Sequence, residues 1–332
     1  MAKGPLHGKA TRRPLSRIKG FPHFEASEDN GPVGYLAIIA AAFLWGLIGP
    51  ISRLALSQGL APLEIAFFRA VFAWILFGIH GFVKKEINFH IKEIAIFVPF
   101  GWVGVTLFYG AYQMAIEYSG AALAAVLLYT APAWVVGLAP LFLGETLNLQ
   151  KALAVILALL GVFLVSGATR FSLHPLGFVF GLLSGFSYAL YYLLGKRFLG
   201  AFPTSRIFFY ALPIGALGLL PFVEFHGKSG TAWMALLALA FLSTYGAYTA
   251  YFAGLRRLPA SRAAILATLE PVVAAIVAHL WWKETFSASS AAGASLILAA
   301  AVIGSLVGRK AKPYSAEGER CWKSRWKSGG KR

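Results

Sequence analysis

A stretch of 38 residues occurs twice in this chain. Shifted forward by 139 residues, Tyr109–Thr146 falls on Tyr248–Thr285 without a gap, and 12 of the 38 positions are identical. Matches of Ala and Leu are cheap in an apolar sequence. The match of Tyr109 and Tyr112 with Tyr248 and Tyr251 is not, nor is that of Pro132 with Pro271, nor of Glu145-Thr146 with Glu284-Thr285. A duplication at a fixed offset means that one structural unit is built twice. Whatever the first copy folds into, the second must repeat.

The surroundings of that unit fix its medium. Of the 332 residues, 58% are hydrophobic and only 13% charged, against about 25% charged in a soluble domain, and the mean hydropathy is +0.68. The apolar runs reach about 20 residues, the length of a helix crossing a bilayer. The period-two alternation of a membrane barrel is absent. The expected class is therefore an all-α integral membrane protein, with the lipid bilayer as its surroundings. The net charge of +17 does not argue for nucleic acid, because 15 of the 30 Lys and Arg lie in the two tails and bracket an apolar body. The lone Cys321 excludes an intrachain disulfide and a cysteine metal site. The seven histidines are scattered, and no His-Glu-x-x-His, Gly-x-Ser-x-Gly or phosphate-binding glycine loop is present. Neither an enzyme nor a cofactor is expected.

Ten spans are predicted, at roughly 33–57, 62–83, 93–116, 119–143, 150–168, 175–198, 205–224, 231–255, 260–282 and 287–308. They divide into a disordered arm (1–31), a first repeat of five spans (32–168), a second (169–308) and a basic tail (309–332). Five is odd, so the second repeat enters the membrane inverted relative to the first. With the amino terminus inside, 25 of the 30 basic residues fall on the cytoplasmic side, as the positive-inside rule requires. Both termini are then cytoplasmic, and the chain is a multi-pass protein of the plasma membrane (the inner membrane in a Gram-negative source). The tail interleaves Trp322 and Trp326 with basic residues, which suits either the anionic leaflet or solvent.

Several residues inside these spans are expensive to bury. Pro132 and Pro271 fall near the middle of spans 4 and 9, where a broken helix points to a site and a plain kink is the bland alternative. Glu270, just before Pro271, needs a partner or water. It reads as a proton-coupling site, a handle for an amino group, or half of a structural ion pair. Arg69 in span 2 suits a substrate carboxylate, an outward snorkel or pairing with Glu64. Tyrosines cluster on three spans: Tyr109 and Tyr112, then Tyr188, Tyr191 and Tyr192, then Tyr245, Tyr248 and Tyr251. Spacings of three and four place each set on one helix face, as a cavity wall or as interhelical hydrogen-bonding groups. Gln113, Tyr129 and Thr268 are weaker candidates for the same lining. The stripe Gly177, Gly181 and Gly185 predicts close helix packing. Glu145 and Glu284, at the starts of spans 5 and 10, read as helix caps.

Trp45-Gly46, Phe68-Arg69 and the pattern Leu269-Glu270-Pro271-Val272 followed by Lys283-Glu284-Thr285-Phe286 resemble EamA domains. The likeness covers about 33–308. It implies the ten-span architecture of the drug/metabolite transporter superfamily, two inverted five-helix repeats around a central cavity walled by spans 1, 3, 4, 6, 8 and 9. Trp45 and Gly46 join the expected cavity through it. It implies transport of small metabolites such as amino acids, often outward in bacterial members. The first copy departs from the pattern, reading Thr130-Ala131-Pro132 without an acid, so any coupling role rests on Glu270 alone. A homodimer is compatible with such a protein. A lipid-linked-sugar flippase, or a membrane scaffold that moves nothing, are the competing readings.

Overall fold

The computed structural model describes residues 31–87, 91–167, 174–283, 285 and 287–306. Residues 1–30 of the expected arm, the basic tail with Cys321, and Glu284 lie outside the described residues, and Gly31 already belongs to α1.

Every described element is helical: α1 Gly31–Gly46, α2 Ile48–Leu56, α3 Pro62–Val83, α4 Ile91–Gly101, α5 Phe108–Leu128, α6 Ala131–Leu143, α7 Leu149–Val165, α8 Pro175–Phe198, α9 Thr204–Leu219, α10 Gly230–Ala238, α11 Ala247–Arg257, α12 Ala260–Ala267, α13 Glu270–Trp282 and α14 Ala288–Leu306. A three-residue 3-10 turn, Leu220–Phe222, follows α9. Eight stretches among the described residues are long and apolar enough to cross a membrane, while α6 and α7 are apolar but shorter. Local chemistry sets many of the ends. Proline opens α3 and α8, where its missing N–H costs nothing. The Asn148 side chain accepts from Lys151 N at 2.8 Å and Ser229 from Ala232 N at 3.1 Å, capping α7 and α10.

The duplication is visible in the backbone. Wide π-helical turns, Trp102–Leu107 and Leu239–Gly246, join α4 to α5 and α10 to α11 at corresponding places. In the first copy α5 is interrupted at Gly120 (φ 80°), after which Ala121–Leu128 and α6 meet across a break at Tyr129-Thr130. In the second copy α12 and α13 meet across a break at Thr268-Leu269. Pro132 and Pro271 are thus second residues of fresh helices, not mid-helix kinks as the sequence suggests. A proline in the first turn lacks only an N–H that would have had no partner. Both second helices end in a left-handed residue, Gly144 (φ 69°) and Lys283 (φ 57°), again 139 positions apart.

The two copies do not sit side by side. α1 packs on α11 and α13, and in reciprocal fashion α8 packs on α5 and α6. The counterparts α3 and α9 pack on each other, as do α7 and α14. The glycine stripe explains how α8 comes so close: Gly177 abuts Ser119, Gly181 abuts Leu127, and Gly185 abuts Thr130. The innermost layer is aromatic, with Phe77, Phe97, Phe100, Phe208, Phe252, Tyr191, Tyr192 and Tyr251 essentially without exposure. Large apolar side chains such as Leu36, Ile79, Leu160 and Val302 face outward. That is the surface a bilayer covers.

Candidate functional site

The interleaving leaves a cavity of about 570 Å³ where helices of both copies converge. Trp45, Arg69, Tyr109, Tyr112, Tyr129, Tyr188, Tyr248, Glu270 and Pro271, all singled out from sequence, line it. One side is an aromatic wall. Trp45 meets Tyr188 and Tyr248 edge-on with ring centres 6.4 and 6.1 Å apart. Phe108 stacks on Tyr188 at 4.8 Å. The hydroxyls of Tyr109 and Tyr248, counterparts in the two copies, lie 3.4 Å apart.

Two of the polar groups, Glu270 and Tyr129, come from the breaks. Glu270 is the first residue of α13, so its carboxylate sits at a helix N-terminus, where backbone N–H groups favour negative charge. The Tyr129 hydroxyl, from the corresponding break in the first copy, is its side-chain partner. Tyr112 and Tyr188 lie within its electrostatic reach, as does the Arg69 guanidinium. Arg69 is held by a bond from Nε to Thr244 Oγ1 at 3.2 Å, and its guanidinium lies 5.8 Å from the centre of the Tyr109 ring. The anchor is a product of the π turn: Thr244 spends its own hydroxyl hydrogen on Leu239 O at 3.2 Å and offers its lone pair to Arg69. Arg69 neither snorkels nor pairs with Glu64. The Glu64 carboxylate is fully buried and taken by Lys228 Nζ at 2.6 Å and His226 Nδ1 at 3.0 Å. The cavity therefore offers a buried carboxyl group, a cationic point, phenolic hydroxyls and flat aromatic faces.

Eight expected residues stand outside the lining. Gly46 serves packing: a Cβ there would lie 2.6 Å from the Val273 side chain, so its absence lets α1 close on α13. Tyr191, Tyr192 and Tyr251 form the layer behind the wall, with Tyr192 and Tyr251 stacked at 4.8 Å. Tyr245 bonds His80 Nδ1 at 3.0 Å, and Thr268 bonds Ile265 O at 2.6 Å. Pro132 is buried, and Gln113 does not reach the cavity. Sequence reasoning missed Phe108, Arg53, Ser166, Trp282 and the small face Ala274, Ala275 and Ala278. The alanine face carried a legible signal, small residues at helical spacing beyond a proline.

The cavity has a mouth and a floor. Arg53, Ser166 and Trp282, at the ends of α2, α7 and α13, mark the mouth. The other end of the bundle is tied shut across the two copies. Glu145 accepts from Ala260 N at 2.6 Å, from Ser261 N at 3.3 Å and from the Ser261 hydroxyl, so it caps α12 of the second copy, 115 residues away, not α7. Lys151 Nζ reaches the same carboxylate at 3.3 Å. Arg262 donates to Tyr35 at 3.2 Å, and Tyr35 donates to Ser305 O at 2.9 Å.

An uncharacterized transporter of Archaeoglobus fulgidus is 29% identical over 81% of this chain and 95% of its own length. The uncharacterized inner membrane transporter YicL of Salmonella typhimurium is 25% identical over 83% of this chain and 96% of its own length. A solved crystal structure shares the fold at a TM-score of 0.74, with 19% identity over 83% of this chain and 98% of that one. The sequence pattern of the EamA-like transporters matches residues 32–167 and again 175–306. The chain belongs to the EamA-like transporter family.

Proposed function

We propose that the chain is a secondary transporter that moves small organic metabolites, amino acids or kindred amphiphiles, outward across the plasma membrane. Its ten spans form two inverted five-helix repeats. In this reading the broken pairs Ala121–Leu128 with α6, and α12 with α13, each make one crossing. The observation that carries the proposal is the cavity of about 570 Å³ joining Glu270, Arg69 and an aromatic wall at the junction of the two repeats. That size suits a small metabolite. An ammonium group would pair with Glu270, a carboxylate with Arg69, and an apolar body would lie on Trp45 and Tyr188. With the amino terminus cytoplasmic, the mouth faces outside and the Glu145 end is the closed cytoplasmic gate. The repeats then rock to expose the cavity to each side in turn.

The test is flux from proteoliposomes loaded with a mixed amino acid pool, read by mass spectrometry with and without an imposed pH gradient. A few species should leave, and the gradient should change their rate. Glu270→Gln, with a conserved melting temperature, should abolish that gradient response. Folded protein that releases nothing across a broad pool would refute the transport reading. A Glu270→Gln variant that keeps the full response would refute the coupling role alone.

A further inference from the structure

We propose that the chain rests with its cavity open at the mouth because the opposite end carries a one-sided lock. The side chains that tie the copies together there, Ser261, Lys151, Arg262 and Tyr35, have no equivalents at the corresponding positions of the mouth. The inference rests on the transporter reading and adds to it a resting state and the step that must unlock it.

Two registers relate the copies. The 139-residue shift sets Leu258 on Ser119, and the first helices align when Pro32 is set on Pro175, which sets Gly34 on Gly177. The structure obeys both at once. A Cβ on Gly34 would lie 2.9 Å from the Leu258 side chain, and a Cβ on Gly177 would lie 2.8 Å from Ser119 Cβ. Corresponding residues thus meet corresponding partners. Inverted repeats exchange roles when the cavity turns to the other side of the membrane. A bond that shuts one end therefore marks the pair of positions that meet when the other end shuts.

The first tie at the shut end is the Glu145 carboxylate, which takes Ala260 N, Ser261 N and the Ser261 hydroxyl from the second copy and is held by Lys151 Nζ at 3.3 Å. The shift by 139 keeps the acid, as Glu284, but turns Ser261 into Ala122 and Lys151 into Ser290. Ser290 shares its hydroxyl with Ser287 at 2.9 Å, beside the start of its own helix α14. The second tie runs through one phenol. Arg262 donates to Tyr35 at 3.2 Å and Tyr35 donates to Ser305 O at 2.9 Å, so α1 of the first copy is joined to α12 and α14 of the second. The counterparts of Arg262 and Tyr35 are Leu123 and Phe178. The third tie, from Arg197 Nη1 to Phe142 O at 3.4 Å, has Leu54 and Trp281 as its counterparts.

Hydrogen bonds that carry an ionised partner are the strong ones, and these lie at a partly buried contact. Shutting the mouth and opening the other end breaks all three ties. Ala122, Ser290, Leu123 and Phe178 replace neither the cations nor the Ser261 and Tyr35 hydroxyls. The mouth-open state is favoured by that difference, and release of the Glu145 end is the costly step of the cycle.

The experiment reads accessibility in the full-length protein in vesicles, from each face of the membrane in turn. The background is Cys321→Ser with Ala274→Cys in the cavity wall, and the probe is a membrane-impermeant maleimide. Each lock residue is replaced by its counterpart at the mouth. Ser261→Ala combined with Tyr35→Phe should lower the ratio of mouth-side to opposite-side labelling about tenfold. A merely structural role would lower the melting temperature and leave that ratio unchanged. If the pair lowers the yield of folded protein, Tyr35→Phe alone, which deletes one oxygen, should lower the ratio about threefold. A wild-type ratio in the folded variants, with labelling seen from both sides, would overturn the lock and leave transport standing. Labelling of Ala274→Cys from the mouth side alone, in every variant, would overturn both.

Discussion

Replacing Glu145 with Ala removes the acceptor that joins the first copy to the N-terminus of α12. The carboxylate receives Ala260 N, Ser261 N, the Ser261 hydroxyl and Lys151 Nζ, and its side chain is only 13% exposed. Loss of a helix cap costs about 1 kcal/mol. Leaving Lys151 in a buried setting without its carboxylate costs about 2 kcal/mol more, although Lys151 keeps its bond to Thr146 O at 2.8 Å. A total of about 3 kcal/mol, at roughly 2 °C per kcal/mol for a chain of this length, lowers the melting temperature by about 6 °C. Glu145→Gln retains an oxygen for Ala260 N and loses only the charge, so its drop should be about half as large. The assay is intrinsic tryptophan fluorescence of detergent-solubilised protein, heated at one fixed rate for all variants. A loss below about 1 °C for Glu145→Ala, or equal losses for Ala and Gln, would refute the cap as a joint between the copies.

Three further perturbations follow from named contacts. Gly46→Val forces a branched side chain against Val273, where even a Cβ would be at 2.6 Å, and should cost about 1–3 kcal/mol in the same melting assay. Lys228→Ala strips the fully buried Glu64 of its 2.6 Å partner and should cost about 3 kcal/mol, whereas Lys228→Met combined with Glu64→Gln should recover most of it. Tyr109→Phe and Tyr248→Phe each break the same 3.4 Å hydroxyl pair. Their effects on stability should therefore fall short of additivity by about 0.5–1 kcal/mol in a double-mutant cycle.

Much of the architecture was readable in order along the chain. Helical stretches of about 20 apolar residues, the repeat at 139 positions and the paired prolines follow from local composition, and eight described stretches have the expected length and apolarity while α6 and α7 are shorter. The breaks before Pro132 and Pro271 were also legible, although their form as turns between two helices was not. Tyrosine shows where local reasoning ends. Tyr188, Tyr191 and Tyr192 share a helix face by spacing, yet only Tyr188 reaches the cavity, because aromatic neighbours from α4, α9 and α11 cover the other two. Periodicity tells which residues point the same way and is silent on what lies opposite.

Glu145 and Arg53 make the same point from the other direction. Each is a charged residue near a helix end in the sequence. One caps a helix 115 residues away, and the other stands at the mouth of a cavity. The sequence by itself determined which segments are helical, that two like units are present, and that the surface between the tails is apolar, since each is a property of short windows. Only the tertiary structure decided which polar residues converge on the cavity and which end of it is shut. Those outcomes depend on how closely helices from different copies approach, at contacts such as Gly46 on Val273 and Gly177 on Ser119, and no local pattern encodes the distance between segments more than 50 residues apart.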